Sequence, residues 1–455
     1  MGEPQKTQRV LDGGGPGEAR MTATRGAEPM AANTDTESPS ASDRLMEEVC
    51  ERGNLQRALK RVKANKGAPG VDGMTVQALP AFLREHWPSI RASLLEGTYK
   101  PKPVRRVELP KPDGGGVRKL GIPSALDRFV QQAVLQVLQR QWDPTFSDAS
   151  YGFRPGRSAH QAVERAQGYV QAGHRWVVDL NLEKFFDRVS YDILMSRVAK
   201  RVSDKRMLKL IRSFLTAGVL ENGLVGATDE GTPQGGALSP LLSNLMLDDL
   251  DRELERRGLR FVRYADDCNV YVHSERAGHR VMAGLKAFLT GRLKLTVNES
   301  KSALARPHTR KFLGFTFSNR LAAKRRVAPK ALARFKERIR ELTQRARGIS
   351  IEQLVERLKR YLTGWRGYFG FCETPSTLQR LDEWVRHRVR CVFWKQWKNS
   401  SKRFRELTAR GVDRDLPAQT VGSPHAAWRL SNSPALKRAL TIRYLGSLGL
   451  PSLRI

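Results

Sequence analysis

Apolar residues in this chain recur mostly at helical spacing, and at strand spacing only in a few short segments. A first stripe, with intervals near the 3.6 residues of a helical turn, comprises Leu45, Val49, Leu55, Leu59 and Val62. A second apolar stripe follows Ser124, whose hydroxyl can cap a helix that carries Asp127 in its first turn. Both stripes predict amphipathic helices that pack in a core.

Short β-prone segments lie between the helical ones. Residues 175–181 predict one strand, and residues 261–272 predict two short strands separated by residues 265–267. Further helix is predicted near 190–215 and 239–257, and from residue 329 onward the chain is predicted to be mostly helical. Strands interspersed with helices in this order favour an α+β fold over a doubly wound parallel sheet.

Residues 1–43 depart from this pattern, because they are rich in Gly, Pro, Ala, Ser and Thr and have no apolar period. This composition predicts a disordered tail. The sequence contains no apolar run long enough to span a membrane and no apolar core of a signal peptide, so no membrane partner is expected. The four cysteines form no CxxC pair, which is typical of reduced thiols in a cytoplasmic protein.

The charge balance indicates the kind of partner. The chain has 80 Lys and Arg against 46 Asp and Glu, a formal net charge of +34. Residues 320–410 alone hold 25 basic against 8 acidic side chains. Such an excess favours a polyphosphate partner, whose counterions are released when Lys and Arg replace them. Charge alone leaves open DNA or RNA, and enzyme or binding protein.

Two adjacent carboxylates, Asp266 and Asp267, interrupt the β-prone segment 261–272. Burying like charges side by side is costly unless a cation compensates them, and Mg²⁺ prefers a few carboxylates together with water and substrate phosphates. An ordinary Asp-containing hairpin turn explains the same two residues equally simply when they are taken by themselves.

Five sequence blocks, taken together, resemble those of reverse transcriptases and occur in the same order. The blocks are SYGFRPGRS at 150–158, TPQGGALSP at 232–240, YADD at 264–267, LTVNESK at 295–301 and KFLGF at 311–315. The resemblance implies that Asp266 and Asp267 bind catalytic Mg²⁺. It also implies nucleotide or template contacts by Phe186, Gln234, Gly235, Gly236 and Lys301, and Arg154 and Arg157 suit phosphate contacts.

Further segments narrow the resemblance to reverse transcriptases encoded by bacterial group II introns. These are KGAPGVDG at 66–73, residues 99–123, and YLTGWRGYF at 361–369, which is similar to the maturase-specific thumb. The resemblance and the mixture of aromatic and basic side chains imply RNA binding by Trp365, Arg366, Tyr368 and Lys395. For Trp365 and Tyr368, a place in the core of a helical bundle is the alternative.

One position departs from the family pattern. The family has its first metal-binding Asp six residues before the Asp that ends the FFD triplet, and in this chain that position is Asn181. Asp179 lies two residues upstream, and residues i and i+2 of a strand share one face. We therefore expect Asp179, or Asn181 as a weaker ligand, to complete the catalytic group.

The predicted fold is a right-hand polymerase with fingers, palm and a helical maturase thumb. The predicted regions are a disordered tail (1–43), an N-terminal extension (44–95), fingers and palm (96–318), the thumb (319–398) and a small DNA-binding tail (399–455) like that of members lacking an endonuclease. The expected function is RNA-directed DNA synthesis coupled to intron splicing and mobility. Expected partners are intron RNA, a DNA target and primer, and deoxynucleotide triphosphates.

Two alternatives stay open. A non-catalytic maturase would only bind and fold the intron RNA, and Asn181 favours this alternative. A relative adopted by its host for repair of DNA breaks is a third possibility, which no residue of the sequence selects.

Overall fold

The computed structural model describes residues 44–110, 116–221, 224–226, 235–320, 322–344 and 348–454. Its first helices are α1 (Leu45–Val49), α2 (Arg52–Ala64), α3 (Leu79–Leu95), α4 (Ala125–Trp142), α5 (Ala159–Gln171), α6 (Tyr191–Ala199), α7 (Lys205–Leu215), α8 (Ser239–Arg256) and α9 (Glu275–Phe288). The strands are β1 (Val104–Pro110), β2 (Val117–Ile122), β3 (Trp176–Leu180), β4 (Val219–Glu221), β5 (Leu224–Gly226), β6 (Arg260–Tyr264), β7 (Asp267–Val272), β8 (Ala303–Ala305), β9 (Phe315–Phe317) and β10 (Arg325–Val327). The later helices are α10 (Pro329–Leu342), α11 (Ile351–Phe369), α12 (Pro375–Gln396), α13 (Ser400–Thr408), α14 (Asp415–Gly422), α15 (Ala427–Leu430), α16 (Pro434–Ala439) and α17 (Ile442–Ser447).

The predicted helix start at Ser124 is confirmed. Its Oγ accepts a hydrogen bond from the Asp127 backbone N–H at 2.9 Å, which satisfies a donor that the first turn of α4 leaves open. Asn54 of α2 donates to the carbonyl of Ala133 in α4 at 3.0 Å, and both helices contribute buried residues to the first core. Helices α1–α3 share one core with the palm, and the N-terminal extension predicted for 44–95 stays a prediction that this packing does not test.

The palm is a four-stranded antiparallel sheet in the order β6-β7-β3-β8. The strands predicted over 175–181 and 261–272 are confirmed, and the latter segment forms the hairpin β6–β7. In the register of β3 and β7, Leu180 lies opposite Cys268. The chain that leaves β3 therefore reaches the turn of this hairpin, and the register brings Asn181 to Asp267.

A second sheet, in the order β2-β1-β4-β5, belongs to the fingers. Strand β1 pairs antiparallel with β2 and parallel with β4. A two-stranded sheet of β9 and β10 follows the palm and leads into α10. The α+β prediction, with a polymerase-type palm and a helical region after it, is confirmed.

The thumb helices and the predicted tail 399–455 share one buried core, which extends from Val327 to Leu453. Helices α13–α17 are each too short to bury an apolar face by themselves, so they pack around the long helix α12. Arg390 of α12 donates to the carbonyl of Leu440 at 3.2 Å, and Asp382 accepts from the Leu453 backbone at 3.1 Å. The tail is therefore packed on the thumb and does not form a core of its own.

The prediction for residues 1–43 lies outside the described residues. Within the described ranges, no helix is long and apolar enough to cross a membrane.

Candidate active site

The hairpin between β6 and β7 presents the two adjacent carboxylates. Tyr264 and Asp267 pair across it, so that Ala265 and Asp266 form a two-residue turn. Ala265 has a φ of +56°, and a positive φ in the first turn residue matches the twist of the flanking strands. For a residue with a Cβ this conformation costs about 1–2 kcal/mol, so the surrounding structure must stabilise the turn.

Gly152, in the loop before α5, lies directly against this turn. A Cβ added at Gly152 would be 2.2 Å from the backbone nitrogen of Ala265, a distance at which atoms overlap. The glycine of the SYGFRPGRS block is therefore required by the close approach of two backbones. It sets the position of the turn from one side.

A buried ion pair supports the turn from the other side. Arg263 and Asp251 have fully buried side chains, and their two hydrogen bonds measure 2.5 and 2.7 Å. Nη1 of Arg263 also donates to the carbonyl of Ala265 at 2.9 Å and to Oδ1 of Asn244 at 3.1 Å. Asn244 in turn donates to the carbonyl of Gly152 at 2.9 Å. One network thus connects α8, the Gly152 loop and the Ala265–Asp266 turn.

Sequence pattern alone does not predict this network. A signal for it exists, because Arg263 lies in the apolar segment Phe261–Val262–Arg263–Tyr264 and a charge on a buried strand requires a partner. The partner, Asp251, lies on a different element, α8, and no local pattern indicates which acid it is.

Asp267 and Asn181 are in direct contact. Nδ2 of Asn181 donates to Oδ1 of Asp267 at 3.1 Å. The backbone of Asn181 is held by Ser302, whose Oγ accepts from its N–H at 3.0 Å, and by Asn298, which donates to its carbonyl at 2.8 Å. Burial, with the added repulsion of Asp266 and Asp179, raises the pKa of Asp267 to about 6. The buried Asp267 carboxylate is thus stabilised when it binds a cation or a proton.

Asp179 has a different partner from the one expected. Its Oδ2 accepts from Nε and Nη2 of Arg310 at 2.9 and 2.5 Å. Burial raises the pKa of Asp179, although Arg310 acts in the opposite direction. Arg310 also donates to the carbonyl of Lys301 at 2.7 Å. Metal binding by Asp179 stays a prediction, and it would require the carboxylate to leave this ion pair.

The turn and the end of β3 bring together three side chains whose oxygen atoms can serve as metal ligands: Asp266, Asp267 and Asn181. All are hard ligands of the kind that Mg²⁺ prefers. Among the described residues, no group of three or more His, Cys, Asp or Glu side chains is placed to hold one metal ion. A cation at the turn would have the carboxylates of Asp266 and Asp267 as protein ligands, with substrate phosphates or water completing its shell. Asn181 presents its Nδ2–H to Asp267, so metal binding through its amide oxygen stays a prediction.

The residues expected to contact nucleotide or template lie around the palm. Phe186 is partly buried in a short 3₁₀ turn, edge-on to Phe185 with centroids 5.2 Å apart. Lys301 is exposed. A Cβ at Gly235 would lie 2.5 Å from the carbonyl oxygen of Gly121, and one at Gly236 would lie 2.6 Å from a side-chain oxygen. Gly235 therefore permits the close approach of two backbones, and Gly236 permits the close approach of the Gln131 side chain.

Gln234 lies outside the described residues, and the two predicted phosphate-binding arginines differ from each other. The Arg154 side chain is only 3% exposed, donates to the Asp143 carboxylate at 2.9 Å, and also donates to the carbonyl of Ser147. Such burial does not fit a phosphate contact, and Arg154 instead fixes the loop before α5. Arg157 is 28% exposed and is paired with Asp148 at 2.6 Å.

In the thumb, the aromatic residues of the GWRGY segment are packed inward. Trp365 is 8% exposed and lies against Phe335, with ring centroids 4.5 Å apart. The hydroxyl of Tyr368 donates to the carbonyl of Leu313 at 2.8 Å and so ties α11 to the KFLGF segment. These positions fit the alternative of a core role. Arg366 and Lys395 are partly exposed, and RNA binding by them stays a prediction.

Two family models match successive parts of the chain. The model described as "Reverse transcriptase (RNA-dependent DNA polymerase)" matches residues 109–317. The model described as "Group II intron, maturase-specific domain" matches residues 332–411. The first match contains the catalytic turn, and the second contains α11 and α12.

The chain is also similar to individual known proteins. The chain is 35% identical to Protein YkfC of Escherichia coli strain K12, over 62% of this chain and 84% of that protein. It is 38% identical to Group II intron-encoded protein LtrA of Lactococcus lactis subsp. cremoris, over 45% of this chain and 34% of LtrA. Among solved structures, a chain of the "Partial Cas6-RT-Cas1--Cas2 complex" aligns with a TM-score of 0.35 and 25% identity, covering 54% of this chain and 42% of that one.

Proposed function

Because this chain belongs to the family of group II intron-encoded reverse transcriptases and maturases, we propose that it copies RNA into DNA at the Asp266–Asp267 turn and that its basic thumb binds the intron RNA. The observation that carries the catalytic part is the hairpin turn itself. Its strained backbone is held by the buried Arg263–Asp251 pair and by Gly152, and its carboxylates lie beside Asn181.

In the proposed reaction, the 3′ hydroxyl of a primer attacks the α-phosphate of a deoxynucleotide triphosphate, and pyrophosphate leaves. Asp266 and Asp267 would hold Mg²⁺, which supplies charge neutralisation for the attacking and leaving oxygens. Asn181 orients Asp267 through its Nδ2–Oδ1 hydrogen bond. Arg310 neutralises Asp179, and this lowers the total negative charge of the site before substrate enters.

Substrate contacts are proposed for residues near the end of β3 and the start of β8. Phe186 and Lys301 are placed next to β3 and β8, the strands that flank the carboxylates from one side. We assign them to the sugar and the phosphates of the incoming nucleotide. A DNA target and a DNA primer are proposed as further substrates, in line with intron mobility.

A second candidate function is that of a non-catalytic maturase. It is favoured by Asn181, since an amide replaces a carboxylate at the position where the family has its first metal ligand. The thumb would then bind and stabilise intron RNA, and the RNA itself would carry out the splicing chemistry.

The test compares primer extension on an RNA template with filter binding of the same RNA. Asp266→Ala should abolish extension and leave RNA affinity nearly unchanged, because affinity arises from spread-out basic surface. Glu85→Ala is the matched control, since this carboxylate is exposed on α3. An inactive wild-type protein that binds RNA tightly would establish the second candidate. If a folded Asp266→Ala variant loses both primer extension and RNA binding, the proposal that catalysis and RNA binding depend on different residues is refuted.

A further inference from the structure

A cavity of about 440 Å³ lies where the tail meets the thumb, between the end of α10, the middle of α12 and the short helix α15. Its walls include Thr343, Arg388, Cys391, Val392, Lys395 and Trp428. The volume is within the range of about 300–1,000 Å³ that is typical of small-ligand sites. The match to the maturase family model ends at residue 411, so Trp428 lies beyond the part of the chain that this model describes.

The tryptophan of this cavity is both exposed and fixed in place. Trp428 is 40% exposed, although it lies on a helix that packs against α12. The ring of His387 stacks on the indole with centroids 3.7 Å apart and planes inclined by 26°. His387 also donates from Nε2 to the carbonyl of Trp428 at 2.8 Å. The indole is thereby held in one orientation while much of its surface stays accessible.

Basic groups stand beside the indole. The guanidinium carbon of Arg388 is 5.7 Å from the Trp428 ring centroid. Nε and Nη2 of Arg388 donate to Oγ1 of Thr343 at 3.0 and 2.7 Å, which fixes the plane of the guanidinium. Lys395, two turns further along α12, is partly exposed at the same cavity. Among the described residues that line the cavity, none is acidic.

His387 covers one face of the Trp428 indole, and the exposed remainder lies at the cavity together with an apolar wall and two cations, a combination suited to a nucleotide. The base stacks on the ring, and the phosphate is attracted to the cations. We propose that this cavity binds one unpaired nucleotide of the intron RNA, with its base on Trp428 and its phosphate next to Arg388 and Lys395. The inference rests on the proposed RNA-binding function of the thumb and names the site at which a single base is held.

RNA fits this cavity better than duplex DNA for a physical reason. Structured RNA exposes unstacked bases in bulges and loops, whereas the bases of duplex DNA are stacked and paired. A pocket that receives one base therefore requires a partner in which that base is already free. DNA binding by the tail that contains Trp428 stays a prediction; in the structure the Trp428 carbonyl accepts a hydrogen bond from His387 of the thumb.

The test uses the full-length protein and three probes of matched sequence: an RNA stem–loop with one bulged nucleotide, the fully paired RNA, and the duplex DNA. Wild type should bind the bulged RNA more tightly than the paired RNA. Trp428→Ala should weaken bulged-RNA binding by about 5- to 150-fold, the usual effect of removing one base-stacking ring, and should erase the preference for the bulge. Trp428→Phe should retain part of that preference, and it keeps the inference testable if the alanine variant fails to fold.

Two further variants separate stacking from other effects. Ile442→Ala removes a more exposed hydrophobic side chain of the same tail, at 63% exposure, and should change neither affinity nor preference. Lys395→Ala should lower the slope of log affinity against log salt by about one, as expected for one lost phosphate contact. A bulge containing 4-thiouridine should photocrosslink to the peptide that carries Trp428.

Each other outcome overturns the inference. Equal affinities of Trp428→Ala and wild type for bulged RNA, with extension and overall RNA binding intact, would refute the nucleotide site and leave the proposed function standing. Weakened binding of duplex DNA alone would make the cavity a DNA site. Absence of RNA binding in the wild-type protein would instead refute the proposed function on which the inference rests.

Discussion

Replacing Asn181 with Asp tests how the catalytic site balances its charges. In the structure, the amide of Asn181 donates to Oδ1 of Asp267 at 3.1 Å. The substitution removes this donor and places a third carboxylate next to Asp266 and Asp267. We expect Asn181→Asp to destabilise the metal-free protein and to lower the Mg²⁺ concentration needed for primer extension.

The magnitude follows from the contact distance. Two unit charges about 4 Å apart repel by roughly 4 kcal/mol at an effective dielectric constant near 20. The pKa of Asp267 is already raised to about 6 by burial and by the carboxylates of Asp266 and Asp179, so the variant relieves part of the repulsion by retaining a proton. The free energy of unfolding without metal should therefore fall by about 2–4 kcal/mol, and the Mg²⁺ midpoint should fall by about tenfold.

The assay combines two titrations at pH 7.5. Melting temperatures are measured in EDTA and over increasing Mg²⁺, and primer extension on an RNA template is measured over the same Mg²⁺ range. Asn181→Ala is the control, because it removes the same hydrogen bond without adding charge. Asp179→Asn tests whether that carboxylate contributes to the metal site in addition to its ion pair with Arg310.

Unchanged stability in EDTA together with an unchanged Mg²⁺ midpoint would refute the assignment of position 181 to the metal site. An Asp179→Asn variant that loses all activity, while Asn181→Asp has no effect, would transfer that role to Asp179. If wild type and Asn181→Asp are both inactive on good templates, the non-catalytic maturase becomes the better description.

Four further outcomes are expected. Asp266→Ala should abolish primer extension and leave RNA affinity within about twofold, as extension and filter-binding assays would measure. Lys or Arg to Ala changes within 330–405 should each lower the salt slope of RNA binding by about one, and a flat slope in the wild type would contradict a phosphate-directed charge excess. The pKa of Asp267 is raised from 3.8 to about 6, so the folded metal-free protein loses stability as pH rises through this window. Asp267→Asn should remove this loss. Its unfolding free energy in EDTA should exceed that of the wild type by about 3 kcal/mol at pH 7.5 but not at pH 4. Arg263→Met should lower the free energy of unfolding by about 3–5 kcal/mol, because Asp251 stays buried without its partner. The double variant with Asp251→Leu should regain stability. It should not regain the rate of primer extension, since the Ala265 carbonyl still lacks its hydrogen-bond donor.

Local sequence determined the elements and the chemistry that the site displays. The helix at Ser124 forms because its hydroxyl caps the N–H of Asp127 three residues on, and the hairpin of β6 and β7 forms around a two-residue turn between β-prone strands. These interactions join residues that are close in the chain, so spacing and residue type suffice to predict them. The excess of Lys and Arg likewise depends only on composition.

Contacts between distant segments were decided by the tertiary structure alone. The pairing of Asp179 with Arg310 joins residues 131 positions apart, and Gly152 meets Ala265 only because the loop before α5 packs on the catalytic turn. The same holds for Trp428, which comes from the tail and lies against α12 of the thumb. The sequence around a carboxylate, a glycine or an indole does not indicate which distant residue it contacts. That contact depends on which surfaces pack together in the core. The sequence therefore revealed two adjacent carboxylates of the kind that bind catalytic metal. Tertiary packing decided which residues hold them in place and that Arg310 neutralises Asp179. It also decided that the exposed ring of Trp428 lines one cavity with Arg388 and Lys395.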